Sequence, residues 1–169
     1  MNGTEWIRLD LPASKDRISR LAVGQTVMLF GTVYTARDQA HKRIAEAIRS
    51  GGALPFPLDG AAIYYCGPTP ANGRVIGACG PTTSGRMDAY APLLFERGVT
   101  VTVGKGERSA EVKAAVHKHG AVYLSAIGGA AALYQSRVRA CELVAYPDLG
   151  CEAVYRLTVE DFPAVVSVL

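Results

Sequence analysis

Two hydrophobic periods run along this chain. "VMLFGTV" (27–33) is a continuous apolar run and predicts a buried strand. "ARDQAHKRIAEAIRSGG" then changes to helical spacing: Ala40, Ile44, Ala47 and Ile48 share one face, and Gly51-Gly52 ends it. "AAIYYCG" (61–67), closed by Pro68-Thr69-Pro70, and "RVIGACG" (74–80) predict two further strands. "MDAYAPLLFERG" has helical spacing through Met87, Tyr90, Leu93 and Leu94, interrupted by Pro92. "VTVTVG" (99–104) is β-branched and predicts a strand. "SAEVKAAVHKHG" opens on a serine N-cap and closes on His117, Lys118, His119 and Gly120, so it predicts a helix whose histidines sit at the negative end of its dipole. "AVYLSAIGG" predicts a strand, "GGAAALYQSR" a short helix, and "RACELVAYP", "EAVYRLTVE" and "AVVSVL" a β-rich final third.

Strands and helices mix here without strict βαβ alternation. The pattern predicts one α/β domain over 1–169: a mixed sheet with helices packed outside, with two β layers as a variant. The length, 169 residues, allows a sizeable core, and 49% hydrophobic with 20% charged residues fits a globular chain. The net charge of +3 is mild and its basic residues are scattered, which argues against nucleic acid as a partner. No apolar run of membrane-spanning length occurs, and "MNGTEWIRLDLPASKDR" lacks the apolar core of a secretory signal, so the expected compartment is the cytoplasm. Cys66, Cys79, Cys141 and Cys151 form no CxxC pair and match neither zinc nor ferredoxin spacing; they read as scattered, half-buried thiols.

Candidate chemistry gathers where strands end. "GTVYTARDQAH" (31–41), "CGPTTSGRMD" (79–88), "GKGE" (104–107) and "SAIGGAAA" (125–132) each follow a predicted strand, and such loops collect at one sheet edge. In the second, Thr82, Thr83 and Ser84 precede a helix start, where free N–H groups and hydroxyls suit an anion, and Arg86 adds a planar fork for a carboxylate. The same residues also suit a simple helix cap with a solvated arginine. Arg37 and Lys105 sit at equivalent points, and three cations converging on one edge would make a pocket for a small dianion. Asp38 is a candidate partner for one of them. His41, one turn beyond Arg37, either faces that pocket, orients Asp38, or lies on the helix surface. Asp88 suits the first turn of the following helix. "GKG" is not a phosphate loop, because the glycine spacing is one residue too long and Gly106 stands where Ser or Thr is required.

Taken together, "GTVYTARDQAHKRI", "IYYCGPTP", "GACGPTTSGRMD", "VGKG" and "GAVYLSAIGGAAAL" resemble the β-subunit, or C-terminal domain, of class I iron–sulfur fumarate hydratases and L-tartrate dehydratases, with "GRMD" closer to the fumarase branch. The resemblance covers nearly the whole chain. It implies a swivelling β/β/α domain and a catalytic partner, an α-subunit whose three cysteines hold a [4Fe–4S] cluster, so that this chain binds none. It implies that Arg37, Thr82, Thr83, Arg86 and Lys105 contact a small dicarboxylate, with Asp38 and His41 in support. Thr82 is then the residue that moves the C3 proton, opposite an aspartate of the other subunit. An α2β2 assembly is expected, or a homodimer for the isolated chain. The expected activity is hydro-lyase, with malate and fumarate as substrates, tartrate or a related hydroxy-dicarboxylate as the rival pair, and a stand-alone anion-binding module as the non-catalytic alternative. Members of this family usually continue past "AVVSVL" with a short segment, so edge packing or subunit docking is expected to be weaker here.

Overall fold

The computed structural model describes residues 6–169. Seven strands form one mixed sheet: β1 (Ile7–Leu11), β2 (Thr26–Thr35), β3 (Ala62–Tyr64), β4 (Val101–Gly104), β5 (Val122–Ser125), β6 (Val138–Ala145) and β7 (Val154–Val168). β1 through β5 run parallel, each beside the next. β7 runs antiparallel to them, pairing with β2 on one side and with β5 and β6 on the other. The β2–β7 ladder, from Thr26 opposite Val165 to Tyr34 opposite Arg156, therefore closes β2, β3, β4, β5 and β7 into a ring. Closure leaves those strands without an open edge.

Alternation along the strands sorts side chains between two cores. Leu29, Val33, Tyr64, Val103, Leu124 and Val159 belong to the inner one. Ile63 and Tyr65, on the opposite face of β3 from Tyr64, meet Ile44, Leu94 and Val116 from the helices outside. The helices are α1 (Lys15–Ile18), α2 (Asp38–Ser50), α3 (Ala91–Glu96), α4 (Ala110–His119) and α5 (Ala131–Ser136). α2 ends on left-handed Gly51, and α4 starts on Ser109, whose hydroxyl accepts the Val112 amide, and ends on left-handed Gly120. Both follow their capping signals, and His117 and His119 occupy the last turn of α4 as expected.

Four expectations change. The segments β2-α2-β3-α3-β4-α4-β5 do alternate as parallel βαβ units, hidden in the sequence because "RVIGACG" reads as a second strand between β3 and α3. "RVIGACG" is a loop rather than a strand: Thr69 and Ala78 tie its neck with two hydrogen bonds, 3.0 and 2.9 Å, and no strand lies beside it, although Ile76 and Cys79 still bury their side chains. The helix predicted from Met87 is divided, a single 3-10 turn at Ser84–Met87 preceding α3, where Pro92 takes a first-turn position in which its missing N–H costs nothing. "EAVYRLTVE" and "AVVSVL" are one strand, β7, bent at left-handed Asp161. β1 was not anticipated: only Leu9 and Leu11 of its five residues are buried, a pattern too short to separate from the charged residues around it.

Candidate active site

Because β2, β3, β4 and β5 are parallel, the segments leaving their C-terminal ends meet on one edge of the ring. The backbone joins two of them directly. The Thr82 amide donates to the Tyr65 carbonyl at 2.6 Å, the Lys105 amide to the Thr82 carbonyl at 3.2 Å, and the Ser84 amide to the Lys105 carbonyl at 2.8 Å. Thr83 and Lys105 are thus parallel bridge partners. "GPTT" is threaded between the ends of β3 and β4, so the two threonines and Lys105 are neighbours although 22 positions separate Thr83 from Lys105. The approach is close enough to require glycine: a β-carbon on Gly104 would collide with the Ser84 hydroxyl and lie 2.7 Å from the Tyr65 ring.

Side chains join the others. Arg86 pairs with Asp38, at the start of α2, which links "GRMD" to "ARDQAH". Arg37, the residue before α2, lies with its Nε 3.7 Å from the Glu152 carboxylate. Lys105 is exposed and forms no ion pair among the described residues. Arg37 and Arg86 are thus each paired with a carboxylate, Glu152 and Asp38, while Lys105, in the loop that also carries Glu107, is paired with none among the described residues. The same edge carries the hydroxyls of Thr82, half-buried, and Thr83, exposed.

Three expected roles are corrected. His41 does not line the site or orient Asp38: it is fully buried, with Nδ1 2.9 Å from the Arg37 carbonyl and its ring edge-on to Tyr65. Burial lowers its pKa to about 4, so the ring is neutral at pH 7. Ser84 offers no hydroxyl to a ligand; it is fully buried and bonded to the Tyr123 phenol at 2.9 Å. The free amides expected at a helix start are also partly spent, since the Thr82 and Ser84 amides donate to neighbouring strands and the turn that follows has four residues. Asp88 serves α4 rather than its own helix: its carboxylate accepts the Ser109 amide at 2.6 Å and the Arg108 Nε at 2.8 Å.

Sequence reasoning missed Arg108, Tyr65, Tyr123 and Glu152. Arg108 resembles any charged residue ahead of a helix cap, and the two tyrosines resemble any buried strand aromatic. Glu152 reaches Arg37 from the short 3-10 segment, Pro147–Glu152, that joins β6 to β7.

The cysteines were expected to be scattered and half-buried. Instead Cys66 and Cys79 are fully buried, Cys141 is half-buried and Cys151 exposed. Burial pushes the Cys66 thiol up, away from the thiolate a metal requires. Among the described residues no three His, Cys, Asp or Glu side chains are grouped to hold a metal, and a thiol pair sealed in the core does not fit a [4Fe–4S] cluster. No helix among them is long and apolar enough to cross a membrane.

The profile of the fumarase C-terminus family matches residues 1–169. The chain is 46% identical over 155 residues, 90% of its length, to "Fumarate hydratase class I, anaerobic" of Escherichia coli (strain K12), of which it covers 28%. It is 43% identical over 172 residues to "Fumarate hydratase 2" of Leishmania major, covering 30% of that protein. It is 38% identical over 161 residues to "Putative L(+)-tartrate dehydratase subunit beta" of Methanocaldococcus jannaschii, covering 83% of that chain. The chain thus spans under a third of the fumarate hydratases it matches, but most of a separate β-subunit.

Proposed function

This chain belongs to the fumarase C-terminus family, and we propose that it is the β-subunit of a two-subunit hydro-lyase that interconverts (S)-malate with fumarate and water. The observation that carries this reading is the bridge between Thr83 and Lys105, which sets two threonines and a lysine beside the Arg86–Asp38 pair and Arg37 on one strand edge. Thr83, Arg86 and Lys105 are exposed there, which suits half of a site completed by another chain. We assign the [4Fe–4S] cluster implied by the sequence resemblance to that α-subunit, a reading supported by the poor fit of the thiols here. The proposed assembly is α2β2.

Dehydration removes a proton from C3 of malate and the hydroxyl from C2, releasing water. As the proton leaves, negative charge builds on the adjacent carboxylate, and preorganised cations stabilise it. Arg37 and Arg86 bind the carboxylates, Lys105 adds a third charge, and the Thr83 hydroxyl donates a hydrogen bond. Thr82 moves the C3 proton. Its hydroxyl first gives its own proton to solvent, the alkoxide takes the proton from C3, and that proton leaves with the C2 hydroxide as water; Lys105, tied to Thr82 through the backbone, is the cation assigned to favour the alkoxide. With Arg37 and Arg86 each facing a carboxylate, a dianion binds fully only as it displaces Glu152 or Asp38 from an arginine or meets further cations on the partner.

Tartrate dehydration is the second reading, favoured by the 83% coverage of the named tartrate dehydratase β-subunit. Anaerobic co-production with an α-subunit, followed by turnover assays on malate, fumarate and tartrate, separates the two. Turnover of neither, with a cluster-loaded partner, overturns both and leaves an anion-binding module.

A further inference from the structure

Arg108 is the most deeply buried charge in the described chain, its side chain 0% exposed. Its Nε donates to Asp88 at 2.8 Å, one terminal nitrogen to the Tyr65 phenol at 3.2 Å and the other to the Thr102 hydroxyl at 3.4 Å. The guanidinium carbon also lies 5.2 Å from the centre of the Tyr65 ring and 4.8 Å from that of Tyr123. A buried ion pair is rarely a gain over apolar packing, so its value lies in fixing one arrangement among several. Here it cross-links two loops. Arg108 lies three residues after Lys105, and Asp88 two residues after Arg86. A second cross-link runs beside it: the Tyr123 phenol donates to the Gly106 carbonyl at 2.7 Å, so the Ser84 hydroxyl must be the donor to the phenol oxygen. Above these contacts Thr83, Arg86 and Lys105 are exposed. The separation of the two loops is therefore fixed from beneath.

We propose that Arg108 and Asp88 are positioning residues that hold Lys105 in register with Thr82, Thr83 and Arg86; this rests on the reading of those four as the substrate-binding group. Neither touches substrate. Each acts through the loop it anchors, and Asp88, bound by Ser109 as well, also ties the spacing to the start of α4.

The test uses R108K, which keeps the charge but loses the fork, and the isosteric D88N, which keeps the volume where R108K loses the fold. In the isolated full chain, amide hydrogen exchange at Ser84 and Lys105 is expected to quicken roughly tenfold or more in either variant, while that of Leu157 in β7 stays within about twofold. In the reconstituted enzyme, well below the melting temperature, KM for malate is expected to rise roughly tenfold with a smaller change in kcat. Uniform acceleration of all amides, or unchanged exchange at Ser84 and Lys105, overturns the proposal and leaves Arg108 a general stabiliser. If the wild-type pair turns over no hydroxy-dicarboxylate, the functional reading falls, and the exchange measurement still decides the positioning role.

Discussion

The Arg37 guanidinium and the Glu152 carboxylate face each other at 3.7 Å, yet Arg37 Nε and Glu152 Oε1 are both buried without a hydrogen bond. On the proposed reading Glu152 occupies the guanidinium that would receive a substrate carboxylate, and its pairing is incomplete. Glu152→Gln removes the competing charge. KM for malate in the reconstituted enzyme is expected to fall about threefold to tenfold, the scale of one partly buried charge contact. A raised KM would instead make Glu152 a support for Arg37.

Lys105 is the cation of the edge that no carboxylate of the described residues neutralises. Lys105→Met keeps the length of the side chain and removes its charge. The reconstituted enzyme is expected to lose at least roughly a hundredfold in kcat/KM, the value of one preorganised group on developing charge, with little change in melting temperature because the residue is exposed. Unchanged kcat/KM would remove Lys105 from the site.

How far the sequence reveals this arrangement depends on the range of the interactions. α2 and α4 are legible because their periodicity and caps lie within a few residues: the Ser109 cap and Gly120 stop are local chemistry. The face of α2 is legible only in part. His41 and Ala45 are buried there, whereas Ala47 is half-exposed. Arg37 and Lys105 could be named as members of one edge because each follows a strand, whereas the sequence places Thr82, Thr83 and Arg86 there only by way of "RVIGACG", which is a loop. Their connections could not: the Thr83–Lys105 bridge depends on "RVIGACG" being a loop that returns the chain to the end of β3, and an apolar run does not distinguish that from a strand. Arg108 and Glu152 have partners 20 and 115 positions away, Asp88 and Arg37, with no local signal.

Gly104 faces the Ser84 hydroxyl and the Tyr65 ring with no room for a β-carbon. Gly104→Ala is expected to cost about 1–3 kcal/mol by overpacking, measured by urea unfolding. Because the strain falls on the Ser84–Lys105 bonds, KM for malate rises as well. Full stability would show that the two loops separate freely.

His41 gives the fold an acid-sensitive point. Its pKa is about 4 in the folded chain against 6.5 in the open chain, because burial disfavours the charged ring. The unfolded state therefore binds the extra proton first. The contribution of the buried neutral ring is intact above pH 6.5 and declines as pH falls from 6.5 toward 4, by up to about 1.4 kcal/mol per pH unit. Unfolding of wild type and His41→Gln, followed by urea titration across that range, is expected to show a shallower decline in the variant. Parallel curves would place the acid sensitivity elsewhere.

Thr82 is the proposed centre of the proton-transfer half that this chain would supply to a shared hydro-lyase site. The most direct measurement is fumarate hydration by the chain co-produced anaerobically with its α-subunit, comparing wild type, Thr82→Ser and Thr82→Ala. Turnover by wild type, weaker turnover by the serine variant, and a loss of roughly a hundredfold or more in kcat for the alanine variant at equal cluster content is the predicted result. Near-normal kcat in the alanine variant would contradict it.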